Sequence, residues 1–365
     1  FTDQDIKCKG IKTIGITTLA LDNKAELDNY SDDEAVAVEL FTSGTTGEPK
    51  SAVLKHKNLM AYILGTVEFM SAGAEESVLL SVPPYHIAGI AAVLSSSYSG
   101  RKIVQLPNFS AEAWMRLVIK EKITNAFLVP TMLKRIVEKF DDNLSLPSLK
   151  NVAYGGGKMP RSVIERAMKL LPHVNFTNAY GLTETSATIC MLGPEDHRSA
   201  FNSSDALIKR RLSSAGRPIP SIELIIKNDE GNICLPEELG NVWVRGEQVS
   251  GEYKGIGSKL DSEGWFPTKD RGFLDSDGYL FIDGRADDVI VRGGENISPG
   301  EIEDVVRTHP NVEDVAAVAV KDIEWGEAVG LVIVASSPIA DGEIIKLART
   351  KLRSSRVPST IKYMD

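Results

Sequence analysis

The sequence predicts an α/β protein: a large N-terminal domain of helix-covered sheets with a small β-hairpin-rich subdomain, followed by a small α+β C-terminal domain. Three observations predict it. Short strand-like runs alternate with helical patterns over residues 35–180, which is typical of a largely parallel sheet covered by helices. Turn signals replace the helical period over residues 213–283. A helix–strand–strand–helix unit then follows residue 285. A chain of 365 residues is also longer than a single hydrophobic core usually supports, which favours more than one domain.

The individual elements are predicted from apolar spacing and from the residues that begin and end each run. In the first region we predict strands over 35–41, 78–82, 124–129, 149–154 and 174–178, and helices over 57–71, 110–121, 131–140 and 160–171. Ser110 suits a helix N-cap, and Pro160 suits a first helical position. The second region predicts antiparallel hairpins with strands over 221–227, 241–246 and 279–283. The third predicts helices over 299–308 and 341–353 around strands 312–320 and 328–335.

Composition excludes several classes of function. The net charge of −9 argues against a nucleic-acid partner, because phosphates require a basic face. The three cysteines, Cys8, Cys190 and Cys234, form neither a zinc pattern nor a disulfide framework, so we expect a reducing, cytoplasmic location. Apolar runs fall short of the roughly 18–20 residues of a membrane span. A signal-peptide pattern and an initiating Met are both absent, so we expect the chain to begin inside a longer protein.

The stretch Thr42–Ser51 has the composition of a phosphate-binding loop. Gly44 and Gly47 allow the backbone to approach a ligand closely, and Lys50 supplies a positive charge. Hydroxyl donors come from Ser43, Thr45, Thr46 and Ser51. The spacing differs from that of the common P-loop, G-x-x-x-x-G-K-[ST]. The alternative is a polar hairpin loop, and further segments of the chain decide between the two.

Those segments accompany the loop in a fixed order. Val82–Gly89 (VPPYHIAG) places a histidine after a strand end, and Asn178–Thr185 (NAYGLTET) places an aromatic ring, a hydroxyl and a carboxylate at a strand-to-turn junction. Gly264–Asp270 (GWFPTKD) follows, and Asp283–Asp288 (DGRADD) leads into Gly293–Glu303 (GGENISPGEIE). In this order and spacing they resemble the adenylate-forming superfamily: acyl- and aryl-CoA synthetases, nonribosomal peptide adenylation domains and firefly-type luciferases. The resemblance covers about residues 36–365, and the motif style is that of acid–CoA ligases.

The resemblance implies a two-step activation of a small-molecule carboxylic acid. The carboxylate would attack the α-phosphate of ATP, giving an acyl-adenylate and pyrophosphate. A thiol, usually that of CoA or a carrier protein, would then displace AMP. ATP, Mg²⁺ and CoA are therefore the implied cofactors. Chemistry of this type depends mostly on positioning and on neutralising charge.

The resemblance also implies roles for individual residues. Tyr180 would stack on adenine, Thr183 would donate to the α-phosphate, Glu184 would bind Mg²⁺, and Asp270 would accept from the ribose hydroxyls. The implied catalytic residues are Lys50, His86, Thr183 and Glu184. The implied cofactor-binding residues are Thr42, Ser43, Gly44, Thr45, Thr46, Gly47, Lys50, Gly155, Gly156, Gly157, Tyr180, Gly181, Thr183, Asp270 and Arg285. The structural alternatives are a capped turn at Thr183–Glu184, an Asx-turn at Asp270, a surface ion pair at Arg285 and a packing role for His86.

The implied domains are a large ATP- and acyl-binding domain over residues 1–284, a hinge over 285–288 and a small mobile domain over 289–365. Asp287 would occupy the hinge, at which the small domain swings between an adenylating and a thioester-forming orientation. Gly293 and Gly294 would line the approach of pantetheine in the second orientation.

Two departures from the superfamily pattern bear on activity. Thr268-Lys-Asp270 stands where the superfamily has Thr-Gly-Asp; a positive φ would strain Lys269, whose side chain could pair with a phosphate or with the neighbouring Asp. The superfamily's N-terminal portion and its C-terminal lysine are expected mostly outside these residues, since Lys362 falls too early for that role. We therefore expect weak or absent adenylation by these 365 residues alone.

Several functions stay open on the sequence. The favoured hypothesis is an acid–CoA ligase. The alternatives are a stand-alone adenylation domain that loads a carrier protein, a catalytically impaired nucleotide-binding homologue, and a plain α/β domain without these functions. The segments that match the superfamily's acyl pocket are 85–93, 154–157 and 180–187, with no obvious cation for a second carboxylate. Their apolar members are Tyr85, Ile87, Ile90, Val93, Leu182 and Ala187. We expect a medium-chain or aryl monocarboxylate as substrate.

Overall fold

The computed structural model describes residues 32–42, 50–140 and 145–364. As far as residue 182 its elements are β1 Val36–Thr42, β2 Lys50–Lys55, α1 His56–Thr66, β3 Ser77–Leu80, α2 Ile87–Ser99, β4 Lys102–Gln105, α3 Ala111–Lys120, β5 Asn125–Leu128, α4 Pro130–Lys139, β6 Asn151–Gly155, α5 Arg161–Leu170 and β7 Asn175–Leu182. The next stretch contains β8 Ala187–Leu192, α6 Pro194–Asn202, α7 Ala206–Lys209, β9 Arg217–Pro218, β10 Glu223–Lys227, β11 Gly240–Arg245, β12 Glu252–Tyr253, β13 Gly257–Ser258, β14 Phe266–Leu274 and β15 Leu280–Arg285. The last contains β16 Ile290–Arg292, β17 Glu295–Ile297, α8 Pro299–Val306, β18 Val312–Asp322, β19 Gly326–Ala335, α9 Asp341–Lys351 and β20 Thr360–Met364.

A seven-stranded sheet forms the centre of the large N-terminal part. Its strand order is β4-β3-β5-β6-β7-β8-β9; neighbours from β4 to β7 are parallel, and β8 and β9 are added antiparallel. This confirms the predicted largely parallel sheet. The parallel strands direct their carboxyl ends to one edge, where the chain places its loops.

The two faces of this sheet carry different side chains. Because successive residues of a strand point to opposite faces, β6 and β7 send Tyr154 and Phe176 to one side and Ala153 and Thr177 to the other. The first side packs against α3, α4 and α5 in the largest apolar core, which includes Trp114, Leu128, Ile136 and Ile164. The second side faces α1 and α2, and a cavity lies between them.

Several element boundaries differ from the predictions. β1 pairs antiparallel with β2 in a separate sheet of order β1-β2-β12-β13, because the chain returns on itself after Thr42. Pro160 is the N-cap of α5 rather than its first helical residue. Ser110 caps α3 as predicted, accepting from the Ala113 N–H at 3.1 Å. The sequence does not predict α2, because its many alanines and serines give no sharp apolar period, nor β14, which lies inside a segment interpreted as a motif.

Antiparallel hairpins follow, as predicted. β10, β11, β14 and β15 form a four-stranded sheet in that order, and its apolar side packs with Ile189 and Leu280 in a second core. The C-terminal unit is a sheet of order β17-β16-β19-β18, with β20 added parallel to β19. Helices α8 and α9 cover it around buried Ile302 and Ile344. The predicted α+β unit is therefore present.

Candidate active site

The first of two cavities, called the polar cavity below, lies at the carboxyl ends of β6 and β7, beside the β14–β15 hairpin and α8. Its volume is about 440 Å³. Its lining includes acidic and basic side chains: Asp270, Asp283, Asp288, Glu303, Lys158 and Arg285. Open α/β sheets bind ligands outside the carboxyl ends of their strands. The position and the lining are those of a site for a polar, charged ligand.

Three of the predicted site residues meet in the polar cavity. The Tyr180 hydroxyl, on β7, donates to Oδ2 of Asp270 on β14 at 2.5 Å. Nε of Arg285 lies 3.4 Å from Oδ1 of the same carboxylate, since Asp270 and Arg285 are cross-strand partners. Asp270 is buried inside a strand, so the alternative of an Asx-turn does not apply.

The environment of Asp270 favours a carboxylate that accepts hydrogen bonds from a ligand. Burial raises the pKa of Asp270, and the Tyr180 hydrogen bond and the Arg285 charge oppose that rise. Burial, followed by the charge of Asp270, raises the pKa of Tyr180, so the phenol stays a donor. An ionised carboxylate offers about four acceptor positions, and the two contacts described leave some of them for donors on a ligand; binding of a ribose stays a prediction.

Glu184 lies in the short 3₁₀ turn Thr183–Thr185 after β7 and is 8% exposed. Its Oε1 accepts a hydrogen bond from the Tyr253 hydroxyl at 2.7 Å. Tyr253 lies on β12, directly opposite Ala52 on β2. This hydrogen bond therefore joins the turn to the sheet that carries the predicted phosphate loop. Tyr253 is not among the residues predicted from the sequence, where only its position between Gly251 and Gly255 sets it apart.

A single carboxylate suits Mg²⁺ that arrives with a polyphosphate. Among the described residues, no group of three or more His, Cys, Asp or Glu side chains could hold a metal ion. Mg²⁺ usually takes one or two carboxylates together with substrate phosphates and water. The role of Glu184, which follows Thr183 in the chain, as one such ligand stays a prediction.

Thr42 and Lys50 are the two ends of the predicted phosphate loop. They are opposite each other in the β1–β2 ladder, and Oγ1 of Thr42 donates to the Lys50 carbonyl at 3.3 Å. β1 and β2 are therefore paired antiparallel on either side of the predicted loop, which is compatible both with a phosphate loop and with a polar hairpin loop. The remaining predicted residues lie outside the described ranges: Ser43, Gly44, Thr45, Thr46 and Gly47. Their role in phosphate binding stays a prediction.

The glycine triplet after β6 shapes the cavity wall. A side chain on Gly155 would meet the Ala179 carbonyl oxygen at 2.2 Å, so glycine lets β6 and β7 lie close together. Gly156 has a φ of +79°, a conformation that favours glycine. Gly156 and Gly157 both line the polar cavity. Lys158, the next residue, lines it too, and its Nζ lies 2.5 Å from Oδ2 of Asp304 on α8. Lys158 is not among the predicted site residues, although it directly follows the triplet.

The second cavity, called the slot below, crosses the sheet face that looks toward α1 and α2. Its volume is also about 440 Å³. Small and apolar residues form most of its walls: Ile87, Ala88, Ala91 and Ala92 from α2, and Phe127, Ala153, Thr177 and Ala179 from the strands. A concave, mostly apolar space of this kind suits an elongated organic ligand.

The residues predicted to line an acyl pocket are divided among the two cavities and other parts of the molecule, and their role stays a prediction. Ile87 and Ala187 line the slot, whereas Leu182 lines the polar cavity. Three residues lie elsewhere: Tyr85 and Val93 are exposed, and Ile90 packs against the small core of Leu40, Leu54 and Leu59. A cation does line the slot, contrary to the expectation from the sequence. It is Arg101, which lies outside the segments considered.

His86 is exposed at the N-cap of α2, with its ring 4.7 Å from the Tyr85 ring. Its neighbours Ile87 and Ala88 line the slot, but His86 does not belong to the lining of either cavity. The predicted gating role of His86 therefore stays a prediction.

The two cavities share a wall. Gly156, Ala179 and Gly181 line both of them. A side chain on Gly181 would lie 1.7 Å from the Ala187 carbonyl oxygen, so this position accepts only glycine. Because the shared wall consists of glycine and alanine, a ligand in the slot and a ligand in the polar cavity can meet. The arrangement can therefore bring two substrates together for a reaction.

Lys269 adopts a φ of +65°, the strained conformation that its departure from Thr-Gly-Asp suggested. Its Nζ lies 2.7 Å from Oδ2 of Asp287, in the 3₁₀ turn Ala286–Asp288 that follows β15. Among protein groups the observed partner is Asp287 rather than the neighbouring Asp270, and pairing of Lys269 with a phosphate stays a prediction.

The predicted pantetheine residues do not line the polar cavity in this structure. Gly293 packs against Trp325, since an added Cβ would lie 2.6 Å from its ring. Pro299 and Gly300 of α8 line the cavity instead.

Comparison with known proteins decides the family. The family model for AMP-binding enzymes matches residues 7–254, and the model for the AMP-binding enzyme C-terminal domain matches residues 301–365. The chain belongs to the AMP-binding enzyme family. The superfamily inferred from the motifs is therefore confirmed, and the match begins earlier in the chain than the motifs do.

Named relatives are ligases. The chain is 34% identical over 346 residues to a 2-succinylbenzoate–CoA ligase of Bacillus licheniformis, covering 93% of this chain and 68% of that protein. A ligase of the same name from Bacillus cereus is 29% identical over 370 residues, covering 100% of this chain and 74% of that protein. The chain thus spans about two thirds to three quarters of the length of these relatives.

Solved structures give the same result. An o-succinylbenzoate CoA synthetase of Bacillus subtilis, in complex with its acyl-adenylate intermediate, matches with a TM-score of 0.80 at 28% identity over 91% of this chain and 66% of that one. An amide bond synthetase of Marinactinospora thermotolerans matches with a TM-score of 0.79 at 27% identity, over 90% and 65%. Another structure of the Bacillus subtilis enzyme contains ATP and a magnesium ion. The solved structures confirm the predicted α/β class, and the Bacillus ligases and CoA synthetase confirm the predicted class of AMP-forming acid–CoA ligases. None of the helices in the described ranges combines the length and apolar character that a membrane crossing needs.

Proposed function

We propose that this chain takes part in ATP- and Mg²⁺-dependent activation of a carboxylic acid to an acyl-adenylate, followed by thioester formation with CoA. The wall shared by the polar cavity and the slot carries this proposal. A carboxylate at the mouth of the slot would meet an α-phosphate in the polar cavity across Gly156, Ala179 and Gly181. Such positioning lowers a barrier by converting an encounter between two molecules into a reaction within one complex.

The nucleotide would be held in the polar cavity by the residues that meet there. Asp270 would accept from the ribose hydroxyls, with the Tyr180 hydroxyl and Arg285 keeping its carboxylate oriented. The Tyr180 ring, and the backbone at Gly155, Gly156 and Gly157, would form the surface for the base. The predicted loop residues, Thr42, Ser43, Gly44, Thr45, Thr46, Gly47 and Lys50, would bind the outer phosphates.

The charge of the triphosphate would be neutralised near Glu184. Its carboxylate, fixed by the Tyr253 hydroxyl, would bind Mg²⁺, and the Thr183 hydroxyl would donate to the α-phosphate. Preorganised groups of this kind contribute most when little reorganisation is left for the reaction itself. The candidate catalytic residues are thus Lys50, Thr183 and Glu184, with His86 retained as a candidate near the slot.

We infer that residues 289–365 act as a small mobile domain on a hinge at residues 285–288. The 3₁₀ turn at Ala286–Asp288 supports this, because a short irregular segment can absorb a change in φ and ψ. The Lys269–Asp287 ion pair would stabilise the orientation described here.

The substrate would be a mostly apolar carboxylic acid of small molecular size, and the acceptor CoA. The slot is lined largely by alanine, serine and aromatic or aliphatic carbon, which supports a medium-chain or aryl acid. The free cysteines Cys190 and Cys234 support a reducing, cytoplasmic location.

Acid-dependent exchange of pyrophosphate into ATP tests the first step, with CoA-dependent release of AMP testing the second. Exchange that requires both a carboxylic acid and Mg²⁺ would support the proposal. Binding of ATP without exchange would favour an impaired nucleotide-binding homologue. Exchange followed by transfer to a phosphopantetheinylated carrier protein, but not to CoA, would favour a carrier-loading adenylation domain.

A further inference from the structure

One end of the slot lies at the edge of the sheet opposite the polar cavity. There Arg101, its partner Glu76 and Asn151 form a group called the polar cluster below. The walls of the slot run from Gly156, after the carboxyl end of β6, to Asn151, at the amino end of the same strand. On the helical side they run from Ile87 to Ser96 of α2. From the rise per residue of a strand and of a helix, the slot is roughly 15 Å long. A carboxylate at the shared wall would therefore place the other end of an elongated acid near the polar cluster.

Arg101 is the one positively charged side chain among the described residues that line the slot, and its charge is already balanced. Its Nε and Nη2 atoms lie 3.1 and 3.0 Å from Oε2 of Glu76. Burial raises the pKa of Glu76 while Arg101 and the Gly73 amide lower it, and the net direction is downward. Glu76 therefore stays ionised, and the pair has no net charge to attract a second carboxylate.

Asn151 supplies the hydrogen-bonding capacity at this end. Its Nδ2 donates to Oδ1 of Asn125 at 2.9 Å, and its Oδ1 accepts from Nδ2 of Asn175 at 3.0 Å. A carboxamide has two N–H donors and two lone pairs. Within the described part of the chain these two contacts use one N–H donor and one lone pair, so the exposed Asn151 has one donor and one lone pair for another partner.

These observations favour one kind of chemical group at the end of the acid that lies beside Arg101 and Asn151. A methyl group here would cover the Asn151 amide and the Arg101 guanidinium without replacing their bonds to water, which is unfavourable. A second carboxylate would lose its hydration without meeting a net positive charge, because Glu76 already balances Arg101. A hydroxyl, amide or ketone would satisfy Asn151 without adding charge.

We propose that the acid taken by this chain is an elongated monocarboxylate with an uncharged hydrogen-bonding group at the end opposite its carboxylate. This inference rests on the proposed function, since it assumes that the slot holds the acyl group. It assigns Arg101, Glu76 and Asn151 as residues that determine specificity at the far end of the slot.

Isothermal titration calorimetry of the chain saturated with AMP tests the proposal. The probes are octanoate, decanoate and dodecanoate, each compared with its ω-hydroxy acid and its α,ω-dicarboxylate. At the best chain length we expect the hydroxy acid to bind about threefold to tenfold more tightly than the methyl-terminated acid, which is the range of one net hydrogen bond. The dicarboxylate should bind most weakly.

Glu76→Gln should remove the disadvantage of the dicarboxylate, because the charge of Arg101 is then no longer balanced. We expect the dicarboxylate to gain roughly tenfold in affinity, as for a hydrogen bond to a charged group. Glu165→Gln is the matched control, since Glu165 pairs with Arg161 on α5, outside the slot lining. Asn151→Leu is an independent variant, and it should make the methyl-terminated acid the preferred probe.

Each outcome has a definite meaning. If the acids bind regardless of their end group, or if Glu76→Gln leaves the dicarboxylate unchanged, the inference is wrong while the proposed function stands. If AMP binds but none of the acids does, the slot is not an acyl site and both fall. The expected ranking, with both variant shifts, supports both.

Discussion

The two faces of the central sheet use the same strands for different purposes. On one face, Tyr154 and Phe176 are fully or almost fully buried against α3–α5. On the other, their neighbours Ala153 and Thr177 line the slot under α2. Alternation along a strand thus separates the residues that stabilise the fold from those that select a ligand. Substitutions at two adjacent residues of one strand should therefore change the stability of the fold in one case and the choice of substrate in the other.

Truncating the buried face should have the largest effect. Phe176→Ala should reduce the free energy of unfolding by about 3–5 kcal/mol, because the cavity it leaves cannot fully collapse. Thr177→Ala, the adjacent residue on the slot face, should change it by about 0.5 kcal/mol or less. Urea unfolding of both variants measures the difference. Equal losses would mean that the two faces share one packed core.

The buried face should also control how stability depends on pH. Nδ1 of His197 donates to the Gly193 carbonyl at 2.8 Å, and Nε2 accepts from the Tyr154 hydroxyl at 2.8 Å. Burial lowers the pKa of His197 to about 4. The unfolded chain therefore takes up a proton near pH 6.5 that the folded chain refuses until about pH 4. Stability should fall by about 3 kcal/mol as the pH falls through this window.

Thermal unfolding across that pH window measures this loss. His197→Gln, which keeps an uncharged side chain, should flatten the pH dependence whatever its effect on stability at neutral pH. A variant with an unchanged slope would show that His197 is not the responsible group.

The two cavities should lose their ligands independently. Asp270→Asn should weaken AMP binding roughly tenfold to a hundredfold and leave acid binding unchanged, since it alters the polar cavity alone. Ala92→Phe should fill the slot and weaken acid binding at least roughly tenfold while AMP still binds. Calorimetry with both ligands separates these effects. Asp277→Asn and Val93→Phe are matched controls, because neither residue lines a cavity.

The smallest effect is expected at Lys269, away from both faces. Lys269→Gly and Lys269→Ala both remove the ion pair with Asp287, but only glycine relieves the φ of +65°. The glycine variant should therefore be more stable than the alanine variant by about 1 kcal/mol. If alanine is equally tolerated, the backbone there is unstrained.

The sequence predicts the polar cavity better than the slot for a physical reason. Tyr180, Asp270 and Arg285 each lie in a short contiguous motif with distinctive chemistry, and the structure brings them together. The slot has no such motif. Its walls consist of single alanines, serines and asparagines from several elements. These residue types are common throughout proteins, so they do not indicate a binding site in the sequence.

The fold, too, is predictable only where the signal lies in one contiguous stretch of sequence. The parallel strands and the C-terminal unit are predictable because their apolar runs are long and clearly bounded. Pairing is not local, so the antiparallel partnership of β1 with β2 is not visible in either strand alone. Tyr253 and Arg101 were missed because their importance comes from contacts with Glu184 and Glu76, which are distant in sequence.

Binding of a nonhydrolysable acyl-adenylate mimic tests the central claim most directly. The claim is that the polar cavity and the slot meet at Gly156, Ala179 and Gly181 and hold one joined ligand. Decanoyl-sulfamoyladenosine, titrated calorimetrically, should bind at least roughly a hundredfold more tightly than AMP, because one molecule then occupies both sites. Asp270→Asn and Ala92→Phe should each remove part of that gain. Affinity no greater than that of AMP, unchanged by Ala92→Phe, would contradict the account.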